Sequence, residues 1–330
     1  MKKLALLLVM LFTSMMCFVG CGDNSNKIRL SEVTHSIFYA PLYIAINEGY
    51  FEEEGLEVEL TNGNGSDTVM TAVLSGHADI GLAGPETAIY AARQGDNTPK
   101  VFGQLTACDG SFLVSRVDEP DFEITDLAGK EVLAGRTGGM PAMTLQYALH
   151  LAGLEAGEDY TLNLEYSFGM MVGAFEGNKG DYCTIFEPTA SDYEASGKGY
   201  IVASIGELGG NVPYTGFIAT EKFLSDKPEQ AEKFLRAVFR GYQFLQTESM
   251  EDIVSALKPS FPDSSDESIQ RSVESYQAIN AWATTPVLNA NDYNHLQEII
   301  RFAGELEGSV AFNKVVDNTI AQKIATELGL

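Results

Sequence analysis

The sequence is poor in the residues and motifs that most catalytic and metal sites require. It contains four cysteines, four histidines and one tryptophan among 330 residues. No pair of histidines has the spacing that places both rings on one face of a helix, and neither G-x-S-x-G nor G-x-x-x-x-G-K occurs. These absences exclude the common motifs of serine hydrolases, P-loop nucleotide enzymes and helix-based zinc enzymes.

Cysteine is too scarce for a disulfide framework. Apart from Cys17 and Cys21 near the N-terminus, the sequence contains Cys108 and Cys183, which are far apart along the chain. Two such thiols do not form a metal site by themselves. One bridge is possible in an oxidising compartment, but two buried thiols are the simpler expectation.

Positive charge is also scarce. Lysine and arginine number 21 against 46 aspartates and glutamates, which gives a formal net charge of −25. A uniformly negative surface is repelled by nucleic acid and by anionic membranes. The acidity therefore excludes nucleic acid as a partner, although it does not identify a ligand.

An apolar run at the N-terminus is too short to span a bilayer comfortably. Two lysines precede LALLLVMLF at 4–12, and the segment continues to FVGC, which is similar to the end of a bacterial lipoprotein signal. Phe18 stands where that pattern usually has leucine. We therefore predict a signal peptide at 1–20, acylation of Cys21 and a short polar tether at 21–26. The alternative is an ordinary cleaved signal peptide.

The rest of the chain divides into an alternating part and a helical part. Short apolar strands and helical stretches alternate from residue 27 to 204, which is typical of a parallel sheet with helices on both faces. After Phe217 the apolar spacing is helical. We predict an α/β fold with two Rossmann-like lobes, joined by crossover strands at 111–115 and 214–219. A helical C-terminal extension packs on lobe 1. The predicted boundaries are 27–112 for the first part of lobe 1, 113–213 for lobe 2 and 214–330 for the second, helical part of lobe 1.

Loops at the carboxyl ends of the strands are the expected place for a ligand. Five such loops carry distinctive residues: HSIFYAPLY at 35–43, AGPE at 83–86, GRTGGMP at 135–141, SFGMM at 167–171 and FEPT at 186–189. If the two lobes face each other, these loops converge on one interdomain cleft, where small-molecule pockets are common. The candidate ligand-binding residues are Ser36, Phe38, Tyr39, Glu86, Asp109, Arg136, Met140, Glu187 and Tyr214.

Aromatic candidates have two interpretations. Phe38 and Tyr39 would clamp a planar or apolar ligand if they project into the cleft, or cover the core of the first lobe if they do not. The sequence favours neither interpretation. Tyr214, at the second crossover, would supply another ring face or pack in the core.

Carboxylates outnumber cations among the candidates. Glu86, Asp109 and Glu187 would accept hydrogen bonds from a ligand, whereas Arg136 is the one obvious cation in the loops. Helix N-termini at the same loops favour anions, but a carboxylate there already occupies the positive end of the helix dipole. An acidic and aromatic site suits a neutral or cationic heterocycle better than an anion.

Several segments resemble the solute-binding proteins of the nitrate, sulfonate, taurine and thiamine-precursor transporter family. APLYIAINEGYFEEEGLEVEL at 40–60 contains an A-x-x-x-GYF-x-x-x-GL-x-V pattern, and VMTAVLSGHADIGLAGPE at 69–86 contains SG-x-AD-x-G. ITDLAGKEV at 124–132 and KPE at 227–229 extend the resemblance over the chain. It implies a periplasmic binding protein type II fold with a hinge-closing cleft.

The resemblance also implies a function. The protein would be a monomer, held on the extracellular or periplasmic face of the membrane by its lipid anchor. It would deliver a small molecule to an ABC importer permease, with no cofactor and no turnover. The expected ligand is a neutral or cationic heterocycle such as a thiamine-pyrimidine precursor. The alternatives are sulfonate, taurine or nitrate binding and an enzyme of thiamine-pyrimidine metabolism, whose cysteine-rich signature this sequence lacks.

Overall fold

The computed structural model describes residues 26–95 and 98–330, in which the strands form two five-stranded sheets. The strands are β1 Lys27–Glu32, β2 Glu57–Asn62, β3 Ile80–Ala83, β4 Lys100–Thr106, β5 Ser111–Ser115, β6 Glu131–Leu133, β7 Thr161–Asn163, β8 Tyr182–Phe186, β9 Tyr200–Ser204 and β10 Thr215–Ala219. The first sheet has the order β2-β1-β3-β10-β4 and the second β7-β6-β8-β5-β9. Each sheet with the helices packed on it forms one lobe.

Helices connect the strands and make up most of the C-terminal third. They are α1 Ala40–Asn47, α2 Tyr50–Glu53, α3 Ser66–Leu74, α4 Pro85–Gln94, α5 Met140–Leu151, α6 Phe168–Glu176, α7 Thr189–Ala195, α8 Ile205–Gly209, α9 Glu221–Asp226, α10 Pro228–Thr247, α11 Met250–Leu257, α12 Asp266–Ala278, α13 Ala290–Phe302, α14 Phe312–Val315 and α15 Thr319–Leu328, with 3-10 helices at Ile37–Tyr39 and Ile124–Leu127. Proline in the first turn begins α1, α4, α5 and α10, where its missing N–H has no helical partner to lose.

The sheets are mixed, whereas the alternating pattern predicted parallel strands. In the first sheet β10 runs antiparallel to β3 and β4, and in the second β5 runs antiparallel to β8 and β9. Both are crossover strands. The chain leaves one lobe at the carboxyl ends of its strands and enters the next sheet from its cleft side. Each crossover strand therefore points away from the cleft, opposite to its neighbours.

The C-terminal helices pack on the first lobe and also contact the second. Helix α10 packs along α1 in the first lobe, while α13 packs against α5 in the second. The ring of His295 on α13 lies 5.6 Å from that of Tyr147 on α5, and the rings of Phe302 and His150 are 4.4 Å apart. The predicted fold class is confirmed: two Rossmann-like lobes, crossover strands and a helical C-terminal extension that also touches lobe 2.

The larger hydrophobic core runs through both lobes, and the second lobe adds a smaller cluster around Leu113, Leu145 and Leu149. Cys108 and Cys183 are both buried, free thiols. Within residues 26–95 and 98–330, no helix has the length and apolar content needed to cross a bilayer. The predicted signal peptide, Cys21 and nearly all of the tether lie outside the described residues.

Candidate functional site

A cavity lies between the two lobes, at the carboxyl ends of their strands. Its volume is ≈ 330 Å³, and it is lined from the first lobe by the loops after β1 and β3 and from the second by the loop after β6, by Phe168 after β7 and by Phe186 at the end of β8. A second cavity of ≈ 530 Å³ adjoins it and shares Val33, Thr34, Phe168 and Phe186 with it. The strand-end loops therefore converge on one cleft.

Ser36 forms a hydrogen bond between the two lobes at this cleft. It caps the 3-10 helix that follows β1, with its hydroxyl accepting a hydrogen bond from the backbone N–H of Phe38 at 3.2 Å. The same hydroxyl donates to the backbone carbonyl of Glu187 in the second lobe at 2.6 Å. Ser36 is 2 % exposed and lines the larger cavity. It therefore positions the first loop against the second lobe.

Phe38 is in the core, and its neighbour Tyr39 lines the smaller cavity. The Phe38 side chain has no exposed surface, and its ring centroid lies 5.0 Å from that of Tyr276 and 5.7 Å from that of Tyr214. Its backbone carbonyl accepts a hydrogen bond from Trp282 Nε1 at 2.9 Å. Tyr39 is among the residues that face the cavity. Phe38 and Tyr39, which the sequence allowed as one clamp, therefore have different positions: one lies in the core and the other lines the cavity.

Glu86 stands in the first turn of α4 and lines the smaller cavity. It is 4 % exposed, and its Oε2 has no hydrogen-bond partner among the described residues. Burial raises the pKa of Glu86 to about 7, although the Arg136 charge acts in the opposite direction. A buried carboxyl oxygen without a hydrogen-bond donor costs free energy, so Glu86 Oε2 is expected to have a donor when the site is occupied.

Tyr214 lines the cavity, while Asp109 is fully buried next to it. Asp109 Oδ1 accepts hydrogen bonds from the Ser111 backbone N–H at 2.8 Å and from the Ser111 hydroxyl at 2.6 Å. Burial raises the pKa of Asp109 to about 6, against the lowering effect of these bonds and of the Tyr214 and Thr144 hydroxyls. Asp109 stands just before the first crossover strand and Tyr214 just before the second. Asp109 is not among the described residues that line either cavity.

Glu187 borders the larger cavity, but its carboxylate is used within the protein. Its Oε2 accepts a hydrogen bond from the Ser191 backbone N–H at 2.8 Å, and its Oε1 accepts one from the Ser191 hydroxyl at 2.7 Å. Burial raises the pKa of Glu187. These bonds fix the start of α7, which is the ordinary role of an acidic residue at a helix N-terminus.

Arg136 and Met140 reach the smaller cavity from the second lobe. Arg136 Nη1 lies 2.6 Å from Asp67 Oδ1, which is on α3 of the first lobe, so this ion pair spans the mouth of the cleft. The pairing holds the pKa of Asp67 below its usual value despite partial burial. Met140 begins α5 and is 4 % exposed. The cation of this site is therefore already paired with a carboxylate.

Sequence reasoning did not single out several residues that line the smaller cavity: Asp67, Thr87, Tyr90, Phe168, Phe186, Thr215 and Glu305. Tyr90 was detectable, because it follows Glu86 by one helical turn and so shares its face of α4. Phe168 and Phe186 belong to SFGMM and FEPT, two segments that the sequence marked as loops without a role for their rings. Glu305 follows α13 in the helical extension, where no strand-end loop marks it.

Comparison with known proteins gives a consistent family match. The model of the NMT1/THI5-like family matches residues 37–251. The chain is 40% identical over 306 residues to "Putative binding protein YtlA" of Bacillus subtilis strain 168, covering 92% of each chain. It is 27% identical over 239 residues, or 68% of each chain, to the 4-amino-5-hydroxymethyl-2-methylpyrimidine phosphate synthase of Aspergillus parasiticus.

A solved structure shares the fold. The alkanesulfonate-binding protein SsuA of Xanthomonas axonopodis pv. citri, bound to MOPS, superposes with a TM-score of 0.72. The alignment covers 89% of this chain and 99% of that one at 16% identity. At this identity the likeness concerns the fold, which is that of the two-lobed periplasmic binding proteins.

Proposed function

We propose that this chain, which belongs to the NMT1/THI5-like family, is a solute-binding protein that captures a small molecule and delivers it to an ABC importer permease. The observation that carries the proposal is the cavity of ≈ 330 Å³ between the lobes, to which strand-end loops of both lobes contribute. A ligand held by two lobes favours the closed arrangement, and periplasmic binding proteins close around their ligands in this way.

The ligand that suits the cavity is a neutral or cationic nitrogen heterocycle, such as a thiamine-pyrimidine precursor. Tyr39, Tyr214 and Phe168 offer ring faces and edges to a planar molecule. Glu86 supplies an acceptor inside the cavity, and a hydrogen bond to a charged acceptor typically contributes about 1.5–3 kcal/mol. The pyrimidine named in the fungal relative is of this chemical class.

Sulfonate, taurine or nitrate is the second candidate. Residues in the first turns of α3, α4 and α5 line the cavity, and helix N-termini favour anions. Two features count against an anion. Glu86 lies inside the cavity, and the Arg136 guanidinium is paired with Asp67.

Binding without turnover is proposed over an enzyme of thiamine-pyrimidine metabolism. Burial raises the pKa of both the Cys108 and the Cys183 thiol to about 12, so neither supplies a thiolate nucleophile near neutral pH. Among the residues that the structure describes, no group of three His, Cys, Asp or Glu side chains is placed to hold a metal ion. The residues of the cleft instead offer aromatic rings, carboxyl groups and one ion pair.

We propose that the monomeric protein acts at the outer face of the membrane and is tethered there through an acylated Cys21. Acyl chains contribute about 0.8 kcal/mol per buried methylene, so two or three chains anchor a protein firmly. We expect Cys21→Ser to release the protein into the medium or periplasm, measured by membrane fractionation of the native host. Cys17→Ser is the matched control and should leave the protein on the membrane. Unchanged fractionation of the Cys21 variant would contradict the anchor.

Hinge closure and ligand identity test the proposed function together. Native mass spectrometry of the protein purified from its own host should reveal a retained small molecule. Adding that molecule to stripped protein should lower the radius of gyration measured by small-angle X-ray scattering. An unchanged radius of gyration with every bound compound would contradict the two-lobed capture mechanism. A covalently altered molecule after prolonged incubation would favour the enzyme instead.

A further inference from the structure

The Glu86 carboxyl occupies space that a side chain at position 84 would fill. Gly84 precedes α4 in an extended conformation, with φ −68° and ψ 137°, which any residue adopts. The backbone therefore does not require glycine here. A Cβ on Gly84 would overlap the carboxyl carbon and both oxygens of Glu86. Glu86 thus folds back across the start of its own helix, into the gap left by the missing side chain.

In this folded-back position Glu86 lines the smaller cavity. Tyr39 from the loop after β1, Tyr214 from the second crossover and Tyr90 from the next turn of α4 line the same cavity. Burial raises the pKa of each of these tyrosines, and nearby carboxylates add to the rise: Glu32 and Glu86 at Tyr39, Glu86 and Glu305 at Tyr90, and Asp109 and Glu86 at Tyr214. Their phenol groups are therefore uncharged neighbours of Glu86.

Four charged groups besides Glu86 line or adjoin the cavity, and Asp109 lies behind Tyr214. They are Arg136 from the loop after β6, Asp67 from α3, Glu305 after α13 and, beyond Tyr39, Glu32 from β1. Arg136 pairs with Asp67, and Glu32 accepts a hydrogen bond from the Tyr43 hydroxyl at 2.5 Å. Glu305 is exposed to solvent, whereas Glu86 is buried with one unused carboxyl oxygen. A cation brought by a ligand would therefore meet that buried oxygen at Glu86, whereas an anion would meet added negative charge.

We propose that Gly84 and Glu86 form one specificity element. Because Gly84 has no side chain, there is room for the Glu86 carboxylate inside the cleft, where it selects ligands with a positively charged N–H donor. A protonated amine or an amidinium on a planar ring has this chemistry. The inference rests on the proposed function and narrows its ligand class from neutral or cationic to cationic. Gly84 acts through Glu86 and is a positioning residue.

Binding of a cation by Gly84 and Glu86 is coupled to the loss of a proton from the Glu86 carboxyl. Because burial raises the pKa of Glu86 to about 7, the empty site is mostly protonated at pH 6 and mostly ionised at pH 8. A ligand that stays cationic over this range competes with the proton at low pH. Its affinity should rise about tenfold from pH 6 to pH 8 and then level off. Near neutral pH, part of a proton leaves the protein for each ligand bound.

The test uses three planar probes of one shape and different charge on the stripped, full-length protein: benzamidine, benzamide and benzoate. Isothermal calorimetry at pH 6, 7 and 8 should show the tightest binding for benzamidine, with the rise in affinity described above. Gly84→Ala should weaken benzamidine binding about tenfold or more and abolish its pH dependence, because the new methyl group displaces the carboxyl. In a Glu86→Ala background, Gly84→Ala should have almost no further effect.

A matched control and a measurement without ligand complete the test. A methyl group added to Gly173 on α6 would meet no neighbouring atom, so Gly173→Ala should bind benzamidine as the unmodified protein does. Carboxyl ¹³C NMR, assigned with Glu86→Gln, should show Glu86 titrating near pH 7, and near its ordinary value of 4.5 in Gly84→Ala. An unchanged titration in that variant would overturn the role of Gly84.

The remaining outcomes separate this inference from the proposed function. Preferential binding of benzoate, or equal binding of benzamidine and benzamide, would overturn cation selection and leave solute binding intact. It is also possible to test the inference with the compound retained from the host. If none of the three probes binds, the protein still closes on that compound and the compound carries no cationic group, the inference is overturned. Absence of closure with any compound would count against the proposed function itself.

Discussion

Phe38→Ala is expected to lower the free energy of unfolding by about 3–5 kcal/mol, the usual loss for truncating a buried phenylalanine. The Phe38 side chain has no exposed surface and contacts rings from both lobes and from the helical extension. Its removal leaves a cavity where Phe186, Tyr214 and Tyr276 meet. Urea denaturation of the two proteins, compared by midpoint and slope, measures the loss.

Phe168→Ala is the matched comparison, because it is the same substitution at a half-buried residue that lines both cavities. It should cost little stability and should weaken binding of the compound retained from the host. If Phe38→Ala instead keeps its stability and loses binding, Phe38 contacts the ligand, and the clamp that the sequence allowed for it is correct.

Gly241→Ala should lower the free energy of unfolding by about 1–3 kcal/mol, as expected for forcing a methyl group into a packed contact. Gly241 lies in the middle of α10, where a Cβ would overlap the backbone carbonyl oxygen of Pro41 on α1 and come within 3.1 Å of the Ala45 backbone nitrogen. Backbone atoms cannot rotate away as a side chain can, so the two helices must separate. Thermal unfolding followed by circular dichroism measures the effect.

The same substitution should have the opposite sign at Gly173, in the exposed interior of α6. A methyl group there meets no neighbour, and alanine is favoured over glycine in a helix by about 0.5–1 kcal/mol. Equal effects at the two glycines would show that helix propensity, and not the contact between α10 and α1, decides the outcome.

The fold followed from the sequence because its signals are local. Apolar periodicity marked the strands and helices, and prolines and glycines marked many of their ends. The loops that converge on the cleft were also predictable, since they follow from strand order alone. The direction of β5 and β10 was not, because it depends on how the chain crosses between lobes, which no short pattern records.

The roles of individual side chains depended on distant partners. Whether Phe38 lies in the core or in the cleft is decided by Trp282 and Tyr276, and the Trp282 contact spans 244 positions of the sequence. Glu187 and Asp109 were different, because the serines that use their carboxylates follow by four and two positions. Those short spacings favour helix capping and local turns, and they were a readable sign of structural carboxylates.

The position of β10 also determines the order in which the molecule is completed. This strand lies between β3 and β4, yet it follows them by more than the whole of the second sheet in the sequence. A chain that emerges from its N-terminus presents β5 to β9 as one continuous unit, which pairs without help from later residues. Until residue 219 emerges, the sheet that begins the protein has an open gap with unpaired edges on both sides. During synthesis its two earlier parts lack the strand that joins them, and their open edges need protection from pairing with other chains.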